Sequence, residues 1–299
     1  MKVSAALAEE LSSLPKPATV MVIGEVDTGK TTLVVLLARW LQSASRKVAI
    51  VDADIGQADI GPPGFVSYGL VEDQLTSLRS VTRQASYMVG NTSPYSRGLN
   101  LVAGIQACVR SAHRDGADVT LVDTGGLVKG VAGIQLKCAK AETIRPDLII
   151  ALSTPGVEPL TGYLKQSGFR IRRFLPIPGA RVRSLGERKD ARISRWNSYL
   201  GSNPQLADVD LSSVTVRRWP GESRYVDTGQ VPHGTVAAVQ DPRQPGFHIP
   251  CIWTVTADEE GEAGSRSSIM IPEPLEDLPA VVWVSGYRLE LEGTKVVSA

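Results

Sequence analysis

The sequence predicts a doubly wound α/β domain with a mostly parallel sheet, followed by a smaller C-terminal all-β domain. Three observations carry this. First, the apolar run Thr19-Val20-Met21-Val22-Ile23, a glycine-bearing turn and a helical pattern from Thr32 to Trp40 follow one another directly. Second, short apolar runs then alternate with helix-length segments as far as residue 200. Third, helical periodicity disappears beyond Gly201-Ser202-Asn203-Pro204, leaving short β-branched runs between Pro and Gly turns. The boundary falls between 202 and 203, giving domains 1–202 and 203–299.

The elements follow in order. Residues 1–17 form a short amphipathic helix that stops at Pro15 and Pro17. Lys47 to Val51 is the strand after the first helix, which implies a parallel pair with a right-handed crossover. Ile60 to Gly69 contains Gly61, Pro62, Pro63 and Gly64 and reads as a loop. Leu78 to Val89 alternates like a strand and leads into Gly90-Asn91-Thr92-Ser93-Pro94. Asn100 to Arg114 is a helix stopped by Gly116. Val119 to Val122 is a buried strand ending in Asp123-Thr124-Gly125-Gly126. A helix from Gly133 to Ile144, a strand from Asp147 to Leu152, a short helix from Thr161 to Ser167 and a strand from Ile171 to Ile177 complete the alternation. Arg183 to Leu200 is helical but poorly amphipathic. Val214 to Trp219, Thr235 to Val239, Ile249 to Thr256 and Ala280 to Leu291 are the C-terminal strands. Trp219, Trp253 and Trp283 belong to their core, and residues 257–268 form a polar, mobile loop.

The turn after the first strand is Gly24-Glu25-Val26-Asp27-Thr28-Gly29-Lys30-Thr31, which fits G-x-x-x-x-G-K-[ST], the P-loop pattern. Gly24 and Gly29 let backbone N–H groups turn inward, and the helix N-terminus adds its positive end. Lys30 reaches the β- and γ-phosphates of a nucleotide, and the Thr31 hydroxyl ligates Mg²⁺. Asp27, Thr28 and Thr32 complete the expected ATP-binding set. ATP is favoured over GTP because no Asn-Lys-x-Asp follows a late strand. Asp52 and Asp54 end the second strand, at the sheet edge where α/β proteins hold ligands.

At 299 residues and net charge +1, the chain as a whole gives no argument for a nucleic-acid partner. Its charge distribution does. Ten Lys or Arg lie between Lys165 and Arg195, opposed only by Glu187 and Asp190, which predicts one basic surface for an anionic partner. Cys108, Cys138 and Cys251 are too few and too scattered for a disulfide framework or a zinc site. No apolar run has membrane-spanning length, and the start, Met1-Lys2-Val3 with Glu9 and Glu10, is no signal peptide. A cytoplasmic location with no membrane partner is expected; oligomeric state is not legible.

The P-loop and four further stretches together resemble the polynucleotide 5′-hydroxyl kinase family, which includes kinases of mRNA 3′-end formation, tRNA splicing and rRNA processing. Besides the P-loop, Asp52-Ala53-Asp54-Ile55-Gly56-Gln57 resembles that family's Asp-x-Asp-x-Gly-Gln segment, and Gly90-Asn91-Thr92-Ser93-Pro94 its Gly-x-x-Ser-Pro loop. Arg183 and Ser184, then Arg188, Arg192, Arg195 and Tyr199, resemble its arginine-bearing lid. Asp123 to Gly130 is similar to its Thr-x-Gly-Trp-Val-x-Gly stretch, with Leu127 where the family often has Trp. The resemblance covers about residues 19–200. Eukaryotic-type members carry an N-terminal β domain; here the first strand starts near residue 19, so that domain is expected to be missing.

The resemblance implies transfer of the γ-phosphate of ATP to 5′-hydroxyl ends of RNA and/or DNA. Asp54 would accept the hydroxyl proton and Asp52 would hold Mg²⁺ through water, although the sequence leaves the two exchangeable. Arg183 and Arg188 would stabilise charge on the triphosphate. Gln57, Thr92, Ser93, Thr124 and Lys129 would grip the acceptor, and Arg172 and Arg195 its downstream chain. Two alternatives stay open from sequence. One is a nucleotide-dependent assembly ATPase; these usually carry a second lysine early in the P-loop, where this chain has Glu25 and Val26. The other is a kinase of a small metabolite.

Overall fold

The computed structural model describes residues 4–298 except 73, 181, 221–227, 258–264 and 276–279. The first 200 residues contain α1 (Ala5–Ser12), β1 (Ala18–Gly24), α2 (Lys30–Ser43), β2 (Val48–Ala53), β3 (Phe65–Leu70), β4 (Thr82–Met88), α3 (Gly98–Arg114), β5 (Val119–Thr124), α4 (Gly130–Ile144), β6 (Leu148–Leu152), α5 (Glu158–Gln166), β7 (Ile171–Phe174) and α6 (Leu185–Leu200). Strand order is β7-β6-β1-β5-β2-β3-β4, and the five strands from β7 to β2 are parallel.

β1 shows why the fold is doubly wound. Val20 and Val22 face one core with Val34, Leu37 and Leu41 of α2 and Leu11 of α1. Met21 and Ile23 face the opposite core with Ala141 of α4 and Leu160 and Leu164 of α5. Successive side chains alternate across the sheet, so a strand covered on both sides must be apolar throughout. Leu37 is fully buried, and Leu37→Ala would cost about 2–5 kcal/mol.

Two expectations are corrected. β1 and β2 are parallel but not neighbours, because β5 lies between them and pairs with both. The region 60–69 is not all loop: β3 pairs antiparallel with β2 and β4, with Phe65, Val66 and Tyr68 buried. Gly69, one of its loop signals, sits where the β3–β4 register shifts, and a Cβ there would lie 2.3 Å from the Thr82 carbonyl oxygen. It marks close backbone approach, not a turn.

The remaining strands are β8 (Gln205–Asp208), β9 (Thr215–Arg218), β10 (Thr235–Gln240), β11 (His248–Ala257), β12 (Ser265–Ile271) and β13 (Val281–Arg288), with a hairpin of β14 (Glu290–Glu292) and β15 (Lys295–Val297). They continue the sheet as β4-β11-β10-β13-β9, joined at β4 by one register pair, His248 opposite Ser86. β12 falls within part of the expected mobile loop: Ser265 to Ser268 pair with β11. Residues 258–264 of that loop lie outside the described ones.

α6 packs across this junction. Trp196 and Leu200 share a core with Phe65 and Met88 on one side and Val236, Ile252 and Met270 on the other. Its buried residues are Trp196 and Leu200, both toward its C-terminal end. Trp253 is fully buried, and Trp219 and Trp283 meet edge-on at 5.3 Å. No helix among the described residues is long and apolar enough to cross a membrane.

Candidate active site at the carboxyl edge of the sheet

β1, β2 and β5 end together, and their following loops build one site. Gly29 caps α2 with φ +89, and a Cβ on it would lie 2.8 Å from Ile177 Cβ, so both conformation and space require glycine. The Thr28 hydroxyl donates to the Glu25 carbonyl at 2.8 Å, and Lys30 Nζ donates to the same oxygen at 2.6 Å, closing the loop on itself. Lys30 is buried, which pushes its pKa down, while Asp123, Asp54, Asp27 and Glu25 oppose the shift. Thr32 is exposed on the first turn of α2.

Thr31 meets a carboxylate, and it is neither of the two singled out from sequence. Its hydroxyl donates to Asp123 Oδ2 at 2.7 Å, at the end of β5. Asp123 Oδ1 is buried with no hydrogen-bond partner among the described residues. Burial raises the Asp123 pKa to about 6, against the Thr31 hydrogen bond and the Lys30 charge. Asp52 is placed differently from its expected metal-side role. Its Oδ1 accepts from the Asp54 N–H at 3.1 Å, and its Oδ2 from the N–H groups of Asp59 and Ile60 at 2.5 and 3.0 Å. It is buried, with its pKa well above the usual range through desolvation, and it folds the loop that follows β2.

Asp54 is half-buried at the head of that loop. Its Oδ1 accepts from Gly56 and Gln57 N–H at 3.2 and 3.1 Å. The carboxylate lies over Gly125: a Cβ there would be 3.4 Å from Oδ1. The 90–94 loop comes alongside, with the Thr92 carbonyl oxygen 3.0 Å from where a Gly56 Cβ would sit and the Ser93 N–H bonded to Asn91 Oδ1 at 3.0 Å. The Thr92 carbonyl and the Asp54 carboxylate therefore approach the same turn at Gly56.

The lid reaches the P-loop. A capping box of Ser184 and Glu187 starts α6. Arg188 Nη2 donates to Asp27 Oδ2 at 2.7 Å, and the Arg183 N–H donates to the same oxygen at 3.2 Å. Gln57 ties the loop after β2 to the lid: its Nε2 donates to the Arg188 carbonyl at 3.2 Å, and Arg183 Nη1 donates to its Oε1 at 3.5 Å.

Two expected acceptor residues are occupied. Thr124 is fully buried; its hydroxyl donates to the Val22 carbonyl and accepts from Lys137 Nζ, each at 2.7 Å, so its one proton is spent and it presents no exposed surface to an acceptor. Lys129 pairs with Glu25 Oε2 at 2.7 Å and holds that carboxyl below the usual range. Glu25 also accepts from the Thr154 hydroxyl at 2.5 Å, so it joins the P-loop to the loops after β5 and β6.

The basic stretch divides. Arg170 and Arg172 both pair with the buried Glu10 of α1 at the β7 edge, while Arg183, Arg188, Arg192 and Arg195 belong to the lid. Arg181 lies outside the described residues. Sequence reasoning assigned no role to Asp123, although it ends a strand beside the P-loop as Asp52 does. Lys137 was also missed; it is fully buried on α4 and donates to the Gly125 carbonyl at 2.6 Å, and its sequence setting gives no sign of this.

The model of the family described as "mRNA cleavage and polyadenylation factor CLP1 P-loop" matches residues 24–202. A polyribonucleotide 5′-hydroxyl-kinase of Pyrococcus horikoshii is 38% identical over 217 residues, covering 70% of this chain and 56% of that protein. One of Methanocaldococcus jannaschii is 36% identical over 203 residues, covering 67% and 55%. The chain thus spans little more than half the length of these curated relatives. A structure of the wild-type Clp1p–Pcf11p complex superposes with a TM-score of 0.72 at 16% identity, over 95% of this chain and 77% of that one, a likeness of fold.

Proposed function

The chain belongs to the CLP1 P-loop family, and on that premise we propose that it is an ATP-dependent polynucleotide 5′-hydroxyl kinase. The observation that carries this is the convergence of three parts on one sheet edge: the P-loop with Lys30, the Asp54 carboxylate over Gly125, and the Arg188 guanidinium against Asp27. Phosphoryl transfer needs positioning and charge stabilisation more than covalent chemistry, and these parts supply both.

ATP is the donor, held by the backbone of Gly24 to Thr31 with Lys30 on its phosphates and Thr32 beside them. Asp54 accepts the proton of the acceptor's 5′-hydroxyl. The 5′ oxygen bonds to the γ-phosphorus as the bond to the β–γ bridging oxygen breaks, leaving ADP. Arg183 and Arg188 stabilise charge on the transferred group. Gln57, Thr92 and Ser93 hold the acceptor's end. Mg²⁺ fits beside Thr31: the available donors are hard oxygens, and Asp123 Oδ1 is buried without a partner. Bound there, Mg²⁺ would neutralise the β- and γ-phosphates. Thr31 and Asp123 would hold it, with Asp52 shaping the loop beneath. A cytoplasmic location goes with such an activity on RNA.

The test is incubation with γ-labelled ATP, Mg²⁺ and 5′-hydroxyl oligonucleotides, with Lys30→Ala as control. Label on RNA or DNA, lost in Lys30→Ala with the fold intact, is the expected result. Hydrolysis without labelled acceptor points to an assembly ATPase, and equal labelling of mononucleosides to a metabolite kinase.

A further inference from the structure

A groove of about 920 Å³ opens where α6 meets the C-terminal strands. Four arginines, Arg79, Arg83, Arg195 and Arg243, line it against two carboxylates, Asp241 and Glu273. A narrower cleft leads from it toward the site. Arg79 and Arg195 line both, and Gln57 and Arg183 stand at the far end of the cleft. The groove therefore starts where the acceptor's end is held.

Two of the arginines are poised for a ligand. The Arg83 guanidinium lies 5.3 Å from the centroid of the Tyr199 ring and makes no ion pair with any described residue. Tyr199 is fixed in turn by its hydroxyl, which donates to the Pro250 carbonyl at 3.0 Å. Arg195 donates through Nη2 to the Asp59 carbonyl, while its Nε is buried without a partner among the described residues. The Arg243 side chain is mostly exposed and its guanidinium reaches Asp241 at 3.4 Å, while its backbone N–H donates to the same oxygen at 2.9 Å.

We propose that this groove carries the single strand behind the reacting 5′ end, its phosphates on Arg195, Arg83 and Arg243 and one base against the Arg83–Tyr199 pair. The inference rests on the polynucleotide reading above. A guanidinium plane held over an aromatic ring offers a flat face to an unpaired base, which a duplex does not present. The spacing sets a length requirement. From Arg188 to Tyr199 the helix rises about 16 Å, so a dinucleotide held at Asp54 falls short of Arg83 and Arg243.

The test uses the full chain with Arg83→Ala and Arg243→Ala, both outside the proposed catalytic machinery. KM is measured for 5′-hydroxyl single strands of two and ten nucleotides. Binding of a labelled 5′-phosphorylated ten-nucleotide strand is followed without ATP by fluorescence anisotropy. Each variant should weaken the ten-nucleotide strand by about three- to tenfold and lower its salt slope by about one. kcat and the dinucleotide KM should not move. Equal KM for both lengths in the parent protein overturns the groove, as do variants that leave ten-nucleotide binding unchanged. Tighter binding of a blunt duplex or a polyglutamate peptide than of the single strand also overturns it. If no acceptor is phosphorylated yet strand binding weakens in both variants, the kinase reading fails and the groove stands.

Discussion

The Thr31 hydroxyl donates to Asp123 Oδ2 at 2.7 Å, which joins the first turn of α2 to the end of the neighbouring strand across 92 residues of chain. Asp123 Oδ1 has no partner among the described residues, so the pair offers two oxygens at the P-loop mouth. Asp123→Asn keeps the size and removes the charge. It should lower transfer by about 10–100-fold and raise the Mg²⁺ concentration needed for half-maximal rate. Magnesium titrations of the initial rate check this; an unchanged requirement moves the metal elsewhere.

Asp52 and Asp54 separate cleanly in the structure. Asp52 accepts three backbone N–H groups of the loop it precedes, whereas the Asp54 carboxylate lies over Gly125. Asp54→Asn should leave ATP affinity nearly unchanged and cut transfer by about 10²–10⁴-fold. Asp52→Ala should instead destabilise the protein by about 1–3 kcal/mol or more through buried N–H groups left unpaired. Calorimetric ATP titration together with denaturant unfolding distinguishes the two. A loss of ATP affinity in Asp54→Asn would place Asp54 on the metal side and remove it as the proton acceptor.

Arg172 is removed from the acceptor's path. It shares Glu10, a buried carboxylate, with Arg170 on the β7 edge. Arg172→Ala should cost about 1–3 kcal/mol of stability and leave acceptor KM where it was. A raised KM at full stability would put the strand on this edge instead of on α6.

The P-loop was legible because its meaning lies in eight consecutive residues whose flanking strand and helix have clear periods. Gln57 was legible as part of a local motif, but its bond to the Arg188 carbonyl was not, since it spans 131 residues. Asp123 carried the same signal as Asp52, an acid ending an apolar strand. What separates them is strand order: β5 lies beside β1, a property of the sheet and not of either segment. β3 was obscured by Gly61 to Gly64 before it and by Gly69 within it. Thr124 looked like an available hydroxyl, and only the buried Lys137 behind it shows that it is taken.

His248 joins the P-loop half to the C-terminal strands. It stands opposite Ser86, is packed by Tyr87 and Trp219, and its Nδ1 accepts from the Met88 N–H at 3.3 Å. Accepting at Nδ1 requires the neutral ring. Burial lowers its pKa to about 4, below the unfolded value of about 6.5. The unfolded chain therefore binds more protons in that interval, so stability is present above about pH 6.5 and is lost as pH falls toward 4, by about 3 kcal/mol in all. Thermal unfolding between pH 4 and 7 should show this loss in the parent protein and a shallower one in His248→Gln. Parallel profiles would remove His248 as the acid-sensitive point of the seam.

Arg188 and Asp27 give the last prediction. Their 2.7 Å ion pair is partly shielded, with side chains 24% and 18% exposed, and it lies across the P-loop mouth. A triphosphate there competes with Asp27 for the same guanidinium, and a guanidinium that follows the transferred phosphoryl group acts on kcat. Arg188→Ala should lower kcat by about 10³-fold or more with little change in acceptor KM. Asp27→Asn should act in the opposite sense on the donor. Asn tolerates the positive φ of +59 at this position, so the loop keeps its shape, and KM for ATP should fall a few-fold as the competing charge is removed. Steady-state kinetics with ATP and a 5′-hydroxyl oligonucleotide varied in turn read both effects. If Arg188→Ala raises acceptor KM while sparing kcat, Arg188 grips the strand. If Asp27→Asn raises KM for ATP, the Asp27 carboxylate helps to hold the nucleotide and does not compete with it.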